Sequence, residues 1–326
     1  MSSQSMRSGS ELVRATFPYA VEDRRRTWFE TLLTLSLIAG SEGMALLGPL
    51  WLKPIGTVLT ALLTVRIFII FHDAMHGAVF KGSRLGQLIM SAVGILTLSP
   101  RSVWTETHDY HHRNNCKLPG TAIGSFPVVT TRHWRRMSDK DKRFYKFIRH
   151  PFTITFGYFF IFLAGMCGAA FLRDPKQHWA CGVAPIVHFS LAGLVGLTLG
   201  WTSAFAGVIA PLFISCALGG YLFYAQHNYP GVVFQKRTEW SYHEAALASS
   251  SYFKMPRILH FFTGNIGFHH VHHLNHKIPF YRLEETMKAL PELQNPGVTS
   301  WSPSDIAAAL QLKLWDPSKG EMVGFP

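Results

Sequence analysis

Long apolar runs separated by polar, aromatic and basic stretches dominate the chain. From Trp28 to about Trp51 the sequence is largely apolar, interrupted by Gly40-Ser41-Glu42-Gly43, and a second run covers 55–71 and ends at His72. A shorter run covers 86–99, and further runs fall at 152–172, 184–200 and 202–225. A membrane-spanning helix needs about 20 apolar residues. By that length 28–51, 52–71, 151–172 and 202–225 are expected to span, whereas 86–99 is too short and reads as interfacial. The run at 184–200 is ambiguous by this test. Residues 1–25 read as a polar tail without the apolar core of a cleavable signal, so insertion is expected to rest on the spans themselves. After His227 the chain is mixed, with helical patterns near 281–290 and 303–314 and an extension at 294–326.

Composition strengthens the membrane reading. Hydrophobic residues make up 48% of the 326 and charged residues 15%, against roughly a quarter charged in soluble domains. The net charge of +12 is concentrated beside the apolar runs, at Arg24–Arg26 and between Arg132 and Arg149. That placement fits cytoplasmic loops and anionic headgroups better than nucleic acid, which is not expected as a partner. Cys116, Cys167, Cys181 and Cys216 form no CxxC pair and read as small buried hydrophobes.

The candidate chemistry lies in the spacing of the 17 histidines. His72-x₃-His76 places two imidazoles at i and i+4 on a helix continuing from the second span; His108-x₂-His111-His112 and His269-x₂-His272-His273 each place three at i, i+3 and i+4. Such side chains meet on one helix face, and neutral imidazole ligates iron, zinc, copper or nickel. Eight motif histidines exceed the three or four protein ligands of a zinc site, so they point to two metal ions with about four imidazoles each. No Glu-x-x-His pair is present, which excludes the carboxylate-bridged di-iron bundle. Asp73 and Asp109 sit beside these histidines and are candidates for orienting imidazole N–H groups; solvated loop acids are the alternative.

A shared metal site also constrains topology, because all three motifs must then lie on one side of the bilayer. An even number of crossings must separate them, so 86–99 does not cross and one of the three runs between His112 and His227, taken as 184–200, does not either. The expected architecture is all-α and integral to the membrane. About four spans form two hairpins, and a cytosolic helical cap (72–150 and 227–293) holds a histidine-ligated di-metal centre. The membrane domain is expected to cover 26–293, with both termini and all the histidine motifs cytoplasmic.

The three histidine motifs, on this pattern of spans, resemble those of the membrane fatty acid desaturases. The resemblance runs from about Thr27 to Leu293. Phe71-His-Asp-Ala-Met-His-Gly77, Tyr224-Ala-Gln-His-Asn228, Glu239-Trp-Ser-Tyr-His-Glu-Ala-Ala246 and Gly264-Asn-Ile-Gly-Phe-His-His-Val-His-His-Leu-Asn275 are most similar to bacterial and plant-type acyl-lipid desaturases of the Δ12/ω-6 sort. It implies a non-haem centre of two iron ions that uses O₂ and two electrons to leave a cis double bond in a lipid acyl chain. It further implies His72, His76, His108, His111, His112, His269, His272 and His273 as ligands, with His227, at the end of the last span, as a ninth. His243 and His270 lie in matching neighbourhoods and are candidates for supporting roles. Acyl-CoA desaturases carry an Asn one turn before the ninth histidine, holding a metal-bound water; Phe223 stands there in this chain, and Gln226 and Asn228 are the nearby substitutes.

No His-Pro-Gly-Gly haem motif occurs, so a separate ferredoxin or cytochrome b5 is the expected donor. If the source is bacterial, the membrane is the inner or plasma membrane. A hydroxylase or ketolase of the same superfamily, acting on lipids or carotenoids, is the neighbouring reading. A membrane zinc hydrolase built on His72-Asp-Ala-Met-His76, and a metal-binding or transport protein, are readings of other classes. His133, His150, His178, His260 and His276 are expected at the surface, and His188 packed or interfacial.

Overall fold

The computed structural model describes residues 7–119 and 123–326, and it is mainly helical. Four helices are long and apolar enough to cross a membrane: α2 (Arg24–Leu47), α3 (Lys53–His76), α9 (Trp179–Leu199) and α10 (Trp201–Gln226). Their numbering places them among α1 (Gly9–Ala15), α4 (Arg84–Leu96), α5 (Arg101–Arg113), α6 (Thr131–Arg136), α7 (Asp139–Ile148), α8 (Tyr158–Arg173), α11 (Tyr242–Ala248), α12 (His269–Leu274), α13 (Leu283–Ala289) and α14 (Pro303–Gln311). In the hydrocarbon region a backbone must satisfy its own polar groups, and a helix does so without neighbours.

Local chemistry sets the helix ends. The Asp23 side chain accepts from the Arg26 amide and caps α2, while Pro54 stands in the first turn of α3. Gly77, with φ 68°, closes α3 directly after His76, in a left-handed conformation that glycine adopts without strain. The first histidine pair therefore occupies the last turn of a long rigid element.

Helix α3 is the centre of the molecule, packing against α2, α4 and α10. Its approach to α2 is close at Gly56, where a Cβ would stand 2.5 Å from the Ala45 nitrogen and 2.7 Å from the Ser41 carbonyl oxygen. Between the same helices Arg66 donates to Glu30 and to Thr34 Oγ1, so the buried guanidinium is paired. The outer faces of α2 and α9 carry exposed Phe29, Leu32, Ile186, Phe189 and Leu197, the apolar surface that lipid covers.

The third span differs from the expectation at 151–172. Tyr158–Arg173 is among the shorter apolar helices, and the helix of spanning length is Trp179–Leu199, which covers the run that topology had set aside. Most of α8, Tyr158–Ala169, is wound as a π-helix. Its far end is tied to the histidine-bearing α5, with Arg173 bonded to Glu106 and His178 to Ser102. Before its near end, Arg149 is bonded to Asn228, one residue after His227. Apolar content could not separate α8 from α9, because both runs are apolar; their anchoring does.

The flanking segments are more integrated than a tail and an extension. Helix α1 lies on the cap, with Leu12 at 1% exposure against Phe268 and Val271. At the C-terminal side β4 (Val298–Ser300) pairs in parallel with β3 (Tyr252–Lys254). The hairpin of β5 (Leu314–Asp316) and β6 (Glu321–Val323) buries Trp315 beside Tyr229 and Phe234. Single apolar residues in polar surroundings carry no periodic signal, so these dockings were invisible in the pattern.

The α2–α3 contact yields an expected outcome. Gly56→Val forces two backbones apart and costs about 1–3 kcal/mol, read as a lower unfolding midpoint of the protein in detergent. Gly40→Ala, whose Cβ meets nothing within 4 Å, leaves the midpoint unchanged or slightly raised.

Candidate metal centre

Helical phase explains how three histidine motifs become two groups. Consecutive residues on an α-helix are about 100° apart, so the paired histidines of a His-His step cannot face one point. On α5, His108 and His112 turn to one group and His111 to the other; on α12, His272 turns to the first and His269 and His273 to the second. The first group is completed by His72 and His76 from α3, and the second by His227 at the end of α10. The division is therefore five and four. The eight motif histidines are at most 5% exposed, and the His227 imidazole is enclosed with them.

Within each group the ligand atoms lie within 4.8 Å of one another. In the four-histidine group the Nε2 atoms form a closed ring of contacts: His111 to His227 at 3.1 Å, His227 to His269 at 2.9 Å, His269 to His273 at 3.1 Å and His273 to His111 at 3.3 Å. In the five-histidine group Nε2 of His108 lies 2.9 Å from that of His72 and 3.1 Å from that of His112, which is 3.1 Å from that of His272. Nitrogens bound to one ion at about 2.1 Å stand about 3.0 Å apart at a right angle and about 3.4 Å apart at the tetrahedral angle. The spacing fits ligands around a common cation. Converging lone pairs repel unless a proton or a cation lies between them, so the donor set fits two metal ions.

The electrostatics agree. Burial pushes the His227 imidazole down to about 4, opposed by its bond to the Ser249 carbonyl. Burial first and neighbouring imidazoles second hold His108, His111, His112, His269, His272 and His273 well below the usual histidine range. Neutral rings with free Nε2 lone pairs are the form a metal binds. Two rings are fixed from behind: His227 Nδ1 donates to Ser249 O at 2.9 Å, and His72 Nδ1 to Asp73 Oδ1 at 3.0 Å.

The remaining sequence candidates divide clearly. Asp73 is buried, and its second oxygen accepts from the Phe280 amide at 2.6 Å. With both oxygens engaged it is not poised as the general base of a hydrolase. Asp109 lies 3.8 Å from His76 Nδ1 with its side chain 44% exposed, too far for a hydrogen bond. His270 faces away from both groups and bonds the Leu293 carbonyl oxygen at 3.1 Å, and His243 belongs to neither group. Phe223 packs its ring 4.9 Å from His111 and 5.5 Å from His227, covering the four-histidine group with carbon. Neither nearby amide stands in for an asparagine there: Gln226 Nε2 donates to Ile266 O, and Asn228 is bound by Arg149 and donates to Ala309 O.

Three surface assignments fail. Half-buried His276 has its ring 4.7 Å from His76 and 5.3 Å from His112, and burial together with Lys277 pushes it down to about 4. It follows His272 by four and His273 by three, a spacing that was available as a signal. His178 and His260 are buried, and Arg149 of the basic stretch is also 1% exposed. His188 is packed as expected, 2.7 Å from the Tyr158 hydroxyl. The four cysteines are free and buried.

A cavity of about 540 Å³ reaches the histidines from the helical region; His72, His108 and His269 stand on its wall with Phe68, Trp104 and Gly219. A small cavity of about 20 Å³ touches His111 and His227, with Asn115, Arg149, Asn228 and Phe223 on its wall.

Comparison with known proteins places the chain among the desaturases. The family model described as fatty acid desaturase matches residues 49–303. A protein named fatty acid desaturase from Bacillus subtilis is 34% identical over 271 residues, 82% of this chain and 76% of its own length. The sn-1 oleoyl-lipid 12-desaturase of Anabaena variabilis is 22% identical over 297 residues, 83% of this chain and 78% of the relative. The sn-1 acyl-lipid omega-3 desaturase (ferredoxin) of Synechocystis is 24% identical over 272 residues, 79% and 73% of the two chains.

Elemental analysis of the purified protein should find about two metal ions per chain. His272→Ala and His227→Ala, one from each group, should each lower that number by about one. The exposed His133→Ala should leave it unchanged. Chelation should lower the unfolding midpoint of the wild type, because a bound ion stabilises the folded state by mass action.

Proposed function

The chain belongs to the fatty acid desaturase family, whose members are oxidoreductases, and on that premise we propose that it is an acyl-lipid desaturase that leaves a cis double bond in a membrane lipid chain. The observation that carries the proposal is the position of the two histidine groups at the wall of an apolar cavity of about 540 Å³. His72, His76, His108, His112 and His272 would hold one iron ion, and His111, His227, His269 and His273 the other. Bound there, the pair would supply the O₂ activation that removes two hydrogens from adjacent methylenes.

The chain's own residues do the positioning. Phe68, Trp104 and Ile266 give the cavity a dry wall, which favours an acyl chain over water. The Trp104 ring stacks on His108 at 4.7 Å with an interplanar angle of 20°, so the ring that borders the substrate also fixes a ligand. Phe223 excludes solvent from the four-histidine group. Among the described residues this wall presents no carboxylate to serve as the general base of a hydrolase. A transporter would place its ligands near the bilayer midplane, whereas the first pair here ends a helix.

The two pairs α2–α3 and α9–α10 support a two-hairpin topology with the histidines, both termini and the basic α6–α7 region cytoplasmic. Electrons would come from a separate carrier. A ferredoxin is favoured over cytochrome b5, since a relative carries that donor in its name.

Gas chromatography of host fatty acids decides the matter. Expression of the wild type should produce a new unsaturated species, and His111→Ala should abolish it. Hydroxylated products without a new double bond would sink the desaturase reading in favour of a hydroxylase.

A further inference from the structure

Among the described residues on the wall of the large cavity, Arg173 is the one side chain with a permanent charge. It ends α8, and Ile161, Gly165 and Ala169 of the same helix line the cavity before it. From Ile161 to Arg173 the helix runs along this wall. The cavity therefore has an apolar length along α8 and a cationic end.

The guanidinium is held without being saturated. Arg173 Nη2 donates to both Glu106 oxygens, at 3.0 and 2.9 Å, and lies 2.9 Å from His178 Nε2. Among the described residues Nε and Nη1 have no partner. His178 is itself buried and fixed 3.1 Å from Ser102 Oγ. The Arg173 and Glu106 side chains are 54% and 42% exposed, so their attraction is screened and weak. Asp174, the other acid nearby, is turned to its own backbone and accepts from the amides of Lys176 and Gln177. With Nη2 engaged, the Nε–H and Nη1–H donors remain to form charge-assisted bonds to a phosphate oxygen.

We propose that Arg173 binds the phosphate of an anionic membrane phospholipid, with one of its acyl chains lying along α8 past His108 and His72. This rests on the acyl-lipid reading above and adds the head group to it. Glu106 competes with the phosphate for the guanidinium, and so sets the strength of the preference.

The test is competitive lipid binding to the purified full-length protein, followed by native mass spectrometry. The probes are phosphatidylglycerol, diacylglycerol with the same chains, and free oleate. The wild type should prefer phosphatidylglycerol over diacylglycerol about tenfold, the scale of one charge-assisted contact. Arg173→Gln should bring the ratio to about one, Arg173→Lys should retain part of it, and Glu106→Gln should raise it. An unchanged ratio in Arg173→Gln, or equal binding by the wild type, overturns the proposal. So does tighter binding of oleate than of phosphatidylglycerol, which would make the ligand a carboxylate. No turnover is involved. Failure to form a double bond would therefore remove the desaturase reading alone, and equal lipid binding beside double-bond formation would remove this one alone.

Discussion

Nine imidazoles face one another inside this protein with their Nε2 atoms at or near ligand-to-ligand spacing, and the rest of the structure is arranged around that convergence. A buried polar atom without a partner costs about 1–3 kcal/mol, so nine such nitrogens would be a heavy burden on a fold held together by a small net free energy. Bound cations would turn the burden into a bond. The two groups draw their histidines from four distant parts of the chain, α3, α5, the end of α10 and α12.

The membrane supplies the second constraint. Spanning elements must be helices, so the long rigid α3 and α10 deliver His72, His76 and His227 from fixed directions. The short α5 and α12 approach over the end of the helical region and close the groups. Helical phase then separates each His-His step between the two groups. A motif that looks like one ligand triplet is thus divided, with α5 giving two to one group and one to the other, and α12 the reverse.

Helix α8 joins the membrane region to the cap. Its anchors at both ends lie beside histidine-bearing elements, and its inner face forms one side of the cavity. The cavity wall thus carries apolar side chains, three of the histidines and the cation of Arg173.

The sequence by itself determined the class of the protein and which of its histidines stand together. The apolar runs predicted long apolar helices, and histidine spacing predicted imidazoles that meet, because both signals are local and periodic. Which runs form the helices of spanning length was not legible: 151–172 and 184–200 are similarly apolar, and only the contacts of Arg173 with Glu106 and of His178 with Ser102 distinguish α8 from α9. Tertiary structure alone divided the histidines five and four, brought His276 beside His76, and buried Arg149 and Leu12. It also committed Gln226 and Asn228 to backbone carbonyls. The physical reason is the same throughout. Periodicity reports which face of a helix is apolar, whereas the direction of a single polar side chain is set by distant partners, 40 residues away for Gln226 and 81 for Asn228.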